Sequence, residues 1–307
     1  EILSDEGWKM IRGIREVVLK ERQRRIPPNT DTKGICSWNF LMIGSLVDIM
    51  QYCRIDGIRQ QASELFNKLL QGSFESFLIQ KPNAEDDGGS STLRHTTTKE
   101  RTLPYLEDYV FFAESQLRVY EISGNPTFKE NFRDTLDFLM REFVKDETVL
   151  TRALSANDLE LYPNQEANSF DASFRSPVAT LLHLVRRGRV LLGDADIGSK
   201  MENFFEKYTH RILKNPVASG EALRSLTYPA EAYRVVKVPR KWLEKEEFLS
   251  FIPSFLTRFV LEYRDDEQGD LWEICSLTAC ELKGNGLEEF TQTLTPEKEE
   301  NADSTQN

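Results

Sequence analysis

The sequence predicts an all-α fold: an α/α toroid of repeated helical hairpins, N-terminally truncated, with a few short β-strands near the C-terminus. Three observations lead there. Apolar residues recur at helical spacing along most of the chain. Segments apolar on every side alternate with segments apolar on one side only. The alternation then repeats about every 70 residues.

The first stretch, 4–24, carries Trp8, Ile11, Ile14 and Val18 at helical spacing and reads as an outer-type helix with no inner partner before it. The first residue being Glu rather than Met points the same way, to a missing N-terminal portion. "WNFLMIGSLVDIM" (38–50) is apolar almost all round, as expected of a helix walled in by neighbours. In 57–79, Ala62, Leu65, Phe66, Leu69 and Leu70 form one apolar stripe, the mark of a surface helix. "LEDYVFFAESQLRVY" (106–120) returns to the walled-in type, and 126–144, with Phe128, Phe132, Leu136, Leu139 and Phe143, to the surface type. "VATLLHLV" (178–185) is again walled in, although Arg186, Arg187 and Arg189 bring solvent or a charge partner near its far half.

With Trp38, Leu106 and Val178 as equivalent starts, the intervals are 68 and 72 residues. Each inner segment ends in a turn signal, "RIDG", "ISGNP" or "LLGDAD", and an amphipathic helix follows. Tetratricopeptide and ankyrin repeats (~33–34 residues) and HEAT repeats (~40–47) are too short for this period. Two helices and a long return loop fit it, as a closed ring or, alternatively, an open solenoid. Further on, 218–232 and 241–262 read as another helix pair separated by the β-like "YRVVKVPR". "LWEICSLTAC" (271–280) reads as a last strand and 287–293 as a short helix. The Gly/Ser/Thr-rich segment 81–102 is a loop long enough to be functional or disordered. The toroid then spans 1–294, and 295–307 is a disordered acidic tail.

A chain of 307 residues supports one large domain or two ordinary ones, and 39% hydrophobic with 29% charged residues is a soluble globular composition. No apolar run approaches the ~18 residues of a membrane span. A net charge of −11 argues against a nucleic-acid partner, which needs clustered Lys and Arg. Four cysteines are too few for a disulfide-built secreted scaffold. "EILSDEGWKMIRGI" lacks the features of a signal peptide, so cytoplasm is the default compartment, although a removed presequence would leave no trace.

In such a ring the inner helices start at one end, where their amide-rich N-termini favour anions and hydroxyls. Polar residues cluster beside those starts: Asp31, Lys33, Trp38 and Asn39; then Tyr105, Glu107 and Asp108; then Asp171, Ser173, Arg175 and Ser176. Sugar cleavage needs two carboxyl groups ~5–9 Å apart. The catalytic candidates are therefore Asp31 with Glu107 or Asp108; the last two are adjacent and do not share a helix face, so at most one points inward. Trp38, Asn39, Lys33, Tyr105 and Arg175 are the ligand-binding candidates. Trp38 suits either stacking on a sugar or core packing, and Ser37 or Asn39 suits either a ligand or a helix cap.

No cofactor and no metal are expected. His95, His183 and His210 are scattered, and Cys275 and Cys280, spaced C-x4-C with no second pair, read as buried thiols. There is no C-x-x-C, Walker sequence or G-x-G-x-x-G.

Four stretches, in order from about residue 5 to 290, resemble one family. "RRIPPNTDTKGICSWNFLMI" resembles an R-x-x-P-x-x-D-D-K-x-x-x-x-W-N-G-L-M-I segment, and "LEDYVFFAESQLRVYEISGN" an L-E-D-Y-A-F-x-x-x-x-L-x-x-L-Y-E-x-T-G-D helix. "SPVATLLHLVRRGRVLLGD" is similar to the end of P-S-G-N-S-V-A-A-x-N-L-L-R-L, and "WEICSLTAC" to Y-V-C-x-x-x-x-C. The family is that of thioredoxin-domain proteins typified by spermatogenesis-associated protein 20. The resemblance implies an N-terminal thioredoxin-like domain, missing from this chain, followed by an (α/α)6, six-hairpin toroid similar to glycosidases and N-acylglucosamine epimerases. It implies a small carbohydrate-like ligand, and leaves open whether a glycosidase- or epimerase-like activity goes with it or the toroid is a scaffold supporting the redox domain. Departures are Thr32 for the second Asp, Phe40 for the Gly after W-N, and Phe174 and Arg175 for small residues, a bulky pair expected to block or reshape the pocket end.

Overall fold

The computed structural model describes residues 4–79, 92–98, 104–156, 165–254, 256, 259–265 and 269–295. They divide into two compact units, Glu1–Lys33 and Gly34–Asn307. Among the described residues the fold is mostly helical, with ten α-helices and a few short strands.

The first unit is one helix, α1 (Asp5–Gln23), and a following segment without regular secondary structure. Ser4 caps it by accepting the Gly7 N–H at 3.3 Å, with Asp5 and Glu6 in the first turn and Lys20 and Arg22 in the last, complementing the helix dipole at both ends. Trp8, Ile11, Ile14 and Val18 are all exposed, and no residue of α1 is buried.

In the second unit the expected inner segments are α2 (Cys36–Tyr52), α4 (Leu106–Ser123) and α6 (Pro177–Leu192). The expected one-sided ones are α3 (Asp56–Phe77) and α5 (Pro126–Glu142), joined by α7 (Ser199–Lys214). α4 packs against α2, α5 and α6. Fourteen of its 18 residues are buried, which is why most of its sides are apolar. α4 and α6 end in left-handed caps at Gly124 and Gly193, where the turn signals stand. α2 departs from expectation. It buries Phe40, Ile43 and Val47 but leaves Trp38, Met42 and Ile49 exposed, because α3 and α4, its main helix neighbours, cover one side of it.

Beyond α6 the chain is less helical than its pattern indicates. α8 (Gly220–Thr227) stops before Pro229, whose ring disfavours a helical conformation at Tyr228. The expected helix 241–262 is instead a 3-10 turn, the short α9 (Glu246–Phe251), and a strand. That strand, Phe259–Arg264, runs parallel to Arg234–Pro239, the β-like stretch anticipated in the sequence. Val235, Val236, Val260 and Leu261 are all buried, so the β-branched run is satisfied by a sheet rather than a helix face. Strands Leu271–Cys275 and Cys280–Asn285 complete an antiparallel edge, and α10 (Leu287–Leu294) packs Phe290 on Trp242 and Trp272. Cys275 and Cys280 are joined by a disulfide across this hairpin, correcting the expectation of buried thiols; Cys36 and Cys53 are free. In the 81–102 segment, Thr92–Leu93 pairs with Leu78–Ile79; residues 81–91 and 99–102 of that loop, and 296–307 of the expected tail, lie outside the described residues.

Gly198 precedes α7 at φ 81°, and a Cβ there would overlap Val185 of α6. Gly198→Ala combines left-handed strain with overpacking and is expected to cost about 2–4 kcal/mol in urea unfolding. A loss below about 0.5 kcal/mol, the usual size for a neutral surface change, would contradict this packing.

Candidate functional site

The starts of α2 and α4 are tied by a single side chain. Asp108, with no exposed surface, accepts the Ser37 N–H at 3.0 Å through Oδ1. Its Oδ2 accepts the Tyr105 N–H at 2.8 Å and lies 2.9 Å from His95 Nδ1. One carboxylate thus satisfies orphan amides of two helices, as helix N-termini require. Asp171 does the same further along: Oδ1 accepts from Ser176 N at 2.7 Å and Oδ2 from Glu221 N at 3.0 Å, at the starts of α6 and α8.

Glu107, one residue before Asp108, points elsewhere. It lies 3.5 Å from Ser37 Oγ and lines a cavity of about 300 Å³ with Tyr105, Asn168, Phe170, Phe174 and Pro177. Glu166 also lines it and pairs with Arg211 at 3.7 Å. The starts of α2, α4 and α6 therefore meet around Glu107. Burial raises the Glu107 pKa, reinforced by the Asp108 charge and opposed by His95 and the Ser37 contact. Phe174 meets Phe111 edge-on, with ring centres 5.5 Å apart, and forms part of the cavity wall, and Arg175 turns to Glu114. Of this pair, Phe174 lines the cavity and Arg175 does not.

Tyr105 and Glu107 are thus brought together on one cavity, and Asp108 sits behind them as a structural acceptor. The Tyr105 ring lies 4.7 Å from the Arg152 guanidinium and 4.8 Å from the His95 ring. Trp38 is 55% exposed and Asn39 donates its amide to Ile35 O at 2.7 Å; neither lines the cavity. Asp31 and Lys33 belong to the first unit. They pair locally, the Lys33 N–H reaching Asp31 Oδ1 at 3.1 Å and Lys33 Nζ reaching Oδ2 at 3.2 Å, which lowers the Asp31 pKa.

A second polar group lay outside the sequence-based candidates. Glu114, Arg118 and Glu121 follow Glu107 along one face of α4 at offsets of seven, eleven and fourteen. Glu114 is buried between Arg118, at 3.0 Å, and Arg175; burial opposes its ionisation, but the two guanidinium charges prevail and lower its pKa. Glu121, paired with Arg187 at 2.5 Å, is the reverse: burial prevails and raises it. His183 is held well below its ordinary pKa, by burial first and by Arg224 and Arg187 next. Its Nε2 lies 3.3 Å from Arg224 Nη1, a donor only, so the proton sits on Nδ1, 2.8 Å from the Tyr233 hydroxyl. These groups surround a cavity of about 150 Å³. The available signal was the charges themselves: a walled-in helix carrying Glu and Arg four and three residues apart must face a polar interior.

The Glu273 carboxylate lies within 4.0 Å of both Cys275 and Cys280 sulfurs, at 3.9 and 3.6 Å, but the disulfide leaves no thiolate there to hold a metal. No known protein family matches this chain, and no curated protein does.

The hydrogen bond to Asp108 raises the His95 pKa above 6.5, outweighing burial. Stability from this pair is then fully present below about pH 6.5 and is lost as pH rises through the raised value. The stability gap between the wild type and His95→Gln should be widest below about pH 6.5 and shrink over the window above it in urea titrations. A gap constant across that window would show that the His95–Asp108 contact carries no charge coupling.

Proposed function

We propose that this chain is the helical portion of a protein of the family typified by spermatogenesis-associated protein 20, arranged as an incomplete (α/α)6 toroid that binds a carbohydrate-type ligand. Three successive hairpins support the arrangement: α2 with α3, α4 with α5, α6 with α7, the first member of each packed on its counterparts and the second amphipathic. The observation that carries the ligand is the cavity at the helix starts. Tyr105, Phe170 and Phe174 offer aromatic faces for the apolar side of a sugar ring. Asn168 and Glu107 offer hydrogen bonds for its hydroxyls, the Asn168 amide as donor and acceptor and the Glu107 carboxylate as acceptor. Binding, without turnover, is the extent of the proposal, because Asp108 has both oxygens committed to amides and His95.

Saturable binding of neutral monosaccharides, followed by calorimetry, should weaken at least tenfold in Glu107→Gln and in Tyr105→Ala. Binding that survives both substitutions overturns the assignment to this cavity.

A second reading is a scaffold for a thioredoxin-like domain, favoured by the exposed apolar residues Trp38, Met42 and Ile49 along α2. It predicts that Trp38→Ser weakens association with such a domain supplied in trans. Unchanged association would remove that reading.

A further inference from the structure

The hairpin at the end of the sheet gathers chemistry that neither cavity uses. Leu271–Cys275 and Cys280–Asn285 run antiparallel, with Cys275 opposite Cys280 and Glu273 opposite Lys283. Glu273 Oε2 lies 3.9 Å from Cys275 Sγ and 3.6 Å from Cys280 Sγ. Among the described residues this is the one group of three ligating side chains whose donor atoms all fall within 4.8 Å of one another. Arg264 holds the same carboxylate in an ion pair and so fixes its orientation, as the outer partners of metal-binding carboxylates do.

The bond between the two cysteines encloses a turn that holds without it. Ser276 N–H donates to Ala279 O at 2.8 Å and Ala279 N–H to Ser276 Oγ at 3.2 Å, so the turn is closed by its own hydrogen bonds. Trp272 and Ile274 are buried, and Trp272 packs on Phe290 of α10. A cross-link between residues five apart removes little freedom from the unfolded chain, because that effect grows with loop length. The two sulfurs also differ in access: Cys275 is buried, and Cys280 lies on the exposed edge strand. An exposed disulfide is the labile kind.

A dithiol reductant opens it in two exchanges. One reductant thiolate attacks Cys280 Sγ, and Cys275 leaves as a thiolate and takes a proton. The second reductant thiol then closes on the first and expels Cys280, so the reductant departs as a disulfide and the chain keeps two thiols. A tetrahedral ion with bonds of about 2.3 Å to sulfur and about 2.0 Å to oxygen spaces a sulfur and an oxygen about 3.5 Å apart. The Glu273 oxygen stands near that distance from both sulfurs while they are still joined. Once the bond is broken the sulfurs are free to part, and two sulfurs on one such ion lie about 3.8 Å apart.

We infer that the reduced hairpin is a binding site for a thiophilic divalent cation, zinc foremost, with Cys275 Sγ, Cys280 Sγ and a Glu273 oxygen as its ligands, and that oxidation to the disulfide empties it. The ion replaces the two thiol protons, which pass to solvent. A fourth position, on the exposed side of Cys280, takes water. The site shares no residue with the cavity at Glu107 and Tyr105, so the two proposals fail separately.

The test is zinc titration of the whole chain against a chromophoric chelator, with the chain oxidised or reduced by a phosphine, which brings no thiol of its own. One ion per reduced chain is expected, bound about a hundredfold more tightly than by the oxidised chain. Cobalt in place of zinc should give sulfur-to-metal charge-transfer absorption in the reduced chain alone. Hydrogen peroxide, leaving as water with the two electrons, should abolish that absorption as the disulfide returns. Cys280→Ser, at an exposed position the fold tolerates, should weaken zinc binding about a hundredfold and Glu273→Gln about tenfold. Cys53→Ser, at a half-buried free thiol, should leave it unchanged. Equal zinc affinity in the two redox states would overturn the inference. So would affinity unchanged in Cys280→Ser or in Glu273→Gln, which places the ion elsewhere.

Discussion

The second unit is organised by a buried carboxylate. Taking Asp108 out of water costs several kcal/mol, and that cost is offset only if its lone pairs are filled. Here they are filled by two backbone amides and an imidazole, each a charge-assisted bond worth about 1.5–3 kcal/mol. The same contacts relieve two helix starts of amides that would otherwise be stranded. Because Ser37 and Tyr105 belong to different hairpins, the bond sets the stagger of α2 against α4. That stagger places Glu107 beside Ser37 and at the edge of the larger cavity. Asp171 repeats the device for α6 and α8, so the floor of this end of the molecule is built from carboxylates that serve helices not their own.

A second constraint follows from burying α4 on nearly all sides. Glu114, Arg118 and Glu121 are largely withdrawn from solvent, and each finds an opposite charge on a neighbour. Glu114 finds Arg175 ahead of α6, Arg118 finds Asp48 on α2, and Glu121 finds Arg187 on α6. Each pair crosses between elements, which constrains how α2, α4 and α6 are rotated about their axes. Buried pairs of this kind contribute little net stability compared with apolar replacements, so their presence argues for specificity or function over strength. Glu114 and Glu121, one with a lowered and one with a raised pKa, lie only seven residues apart on one helix face.

The helices with clear three-to-four periodicity were legible in the sequence. Phe132, Leu136 and Leu139 on α5 are all fully buried, as their spacing requires. So was the stretch "YRVVKVPR", whose run of valines no helix would favour. The 241–262 segment was misread because a short amphipathic run around Phe248 is continuous in sequence with "FVLEY", and only the tertiary partner Arg234–Pro239 makes the latter a strand. Tyr105 and Glu107, singled out in the sequence from their position beside a helix start, line the larger cavity. Which of two adjacent acids turned inward was not readable, since it depends on the Ser37 amide approaching from another hairpin. The inner cluster was missed for the opposite reason: Glu114, Arg118 and Glu121 were legible as charges, but the apolar residues between them drew the reading toward a dry core.

The most direct measurement of the central claim is amide hydrogen exchange in Asp108→Asn. If one carboxylate holds both helix starts, the Ser37 and Tyr105 amides should lose protection together, by tenfold or more, while Ala179, capped by Ser176 at 3.3 Å, keeps its own. Loss at Tyr105 alone, or at neither amide, would mean that α2 and α4 are aligned by side-chain packing, and the account of this end of the molecule would be wrong.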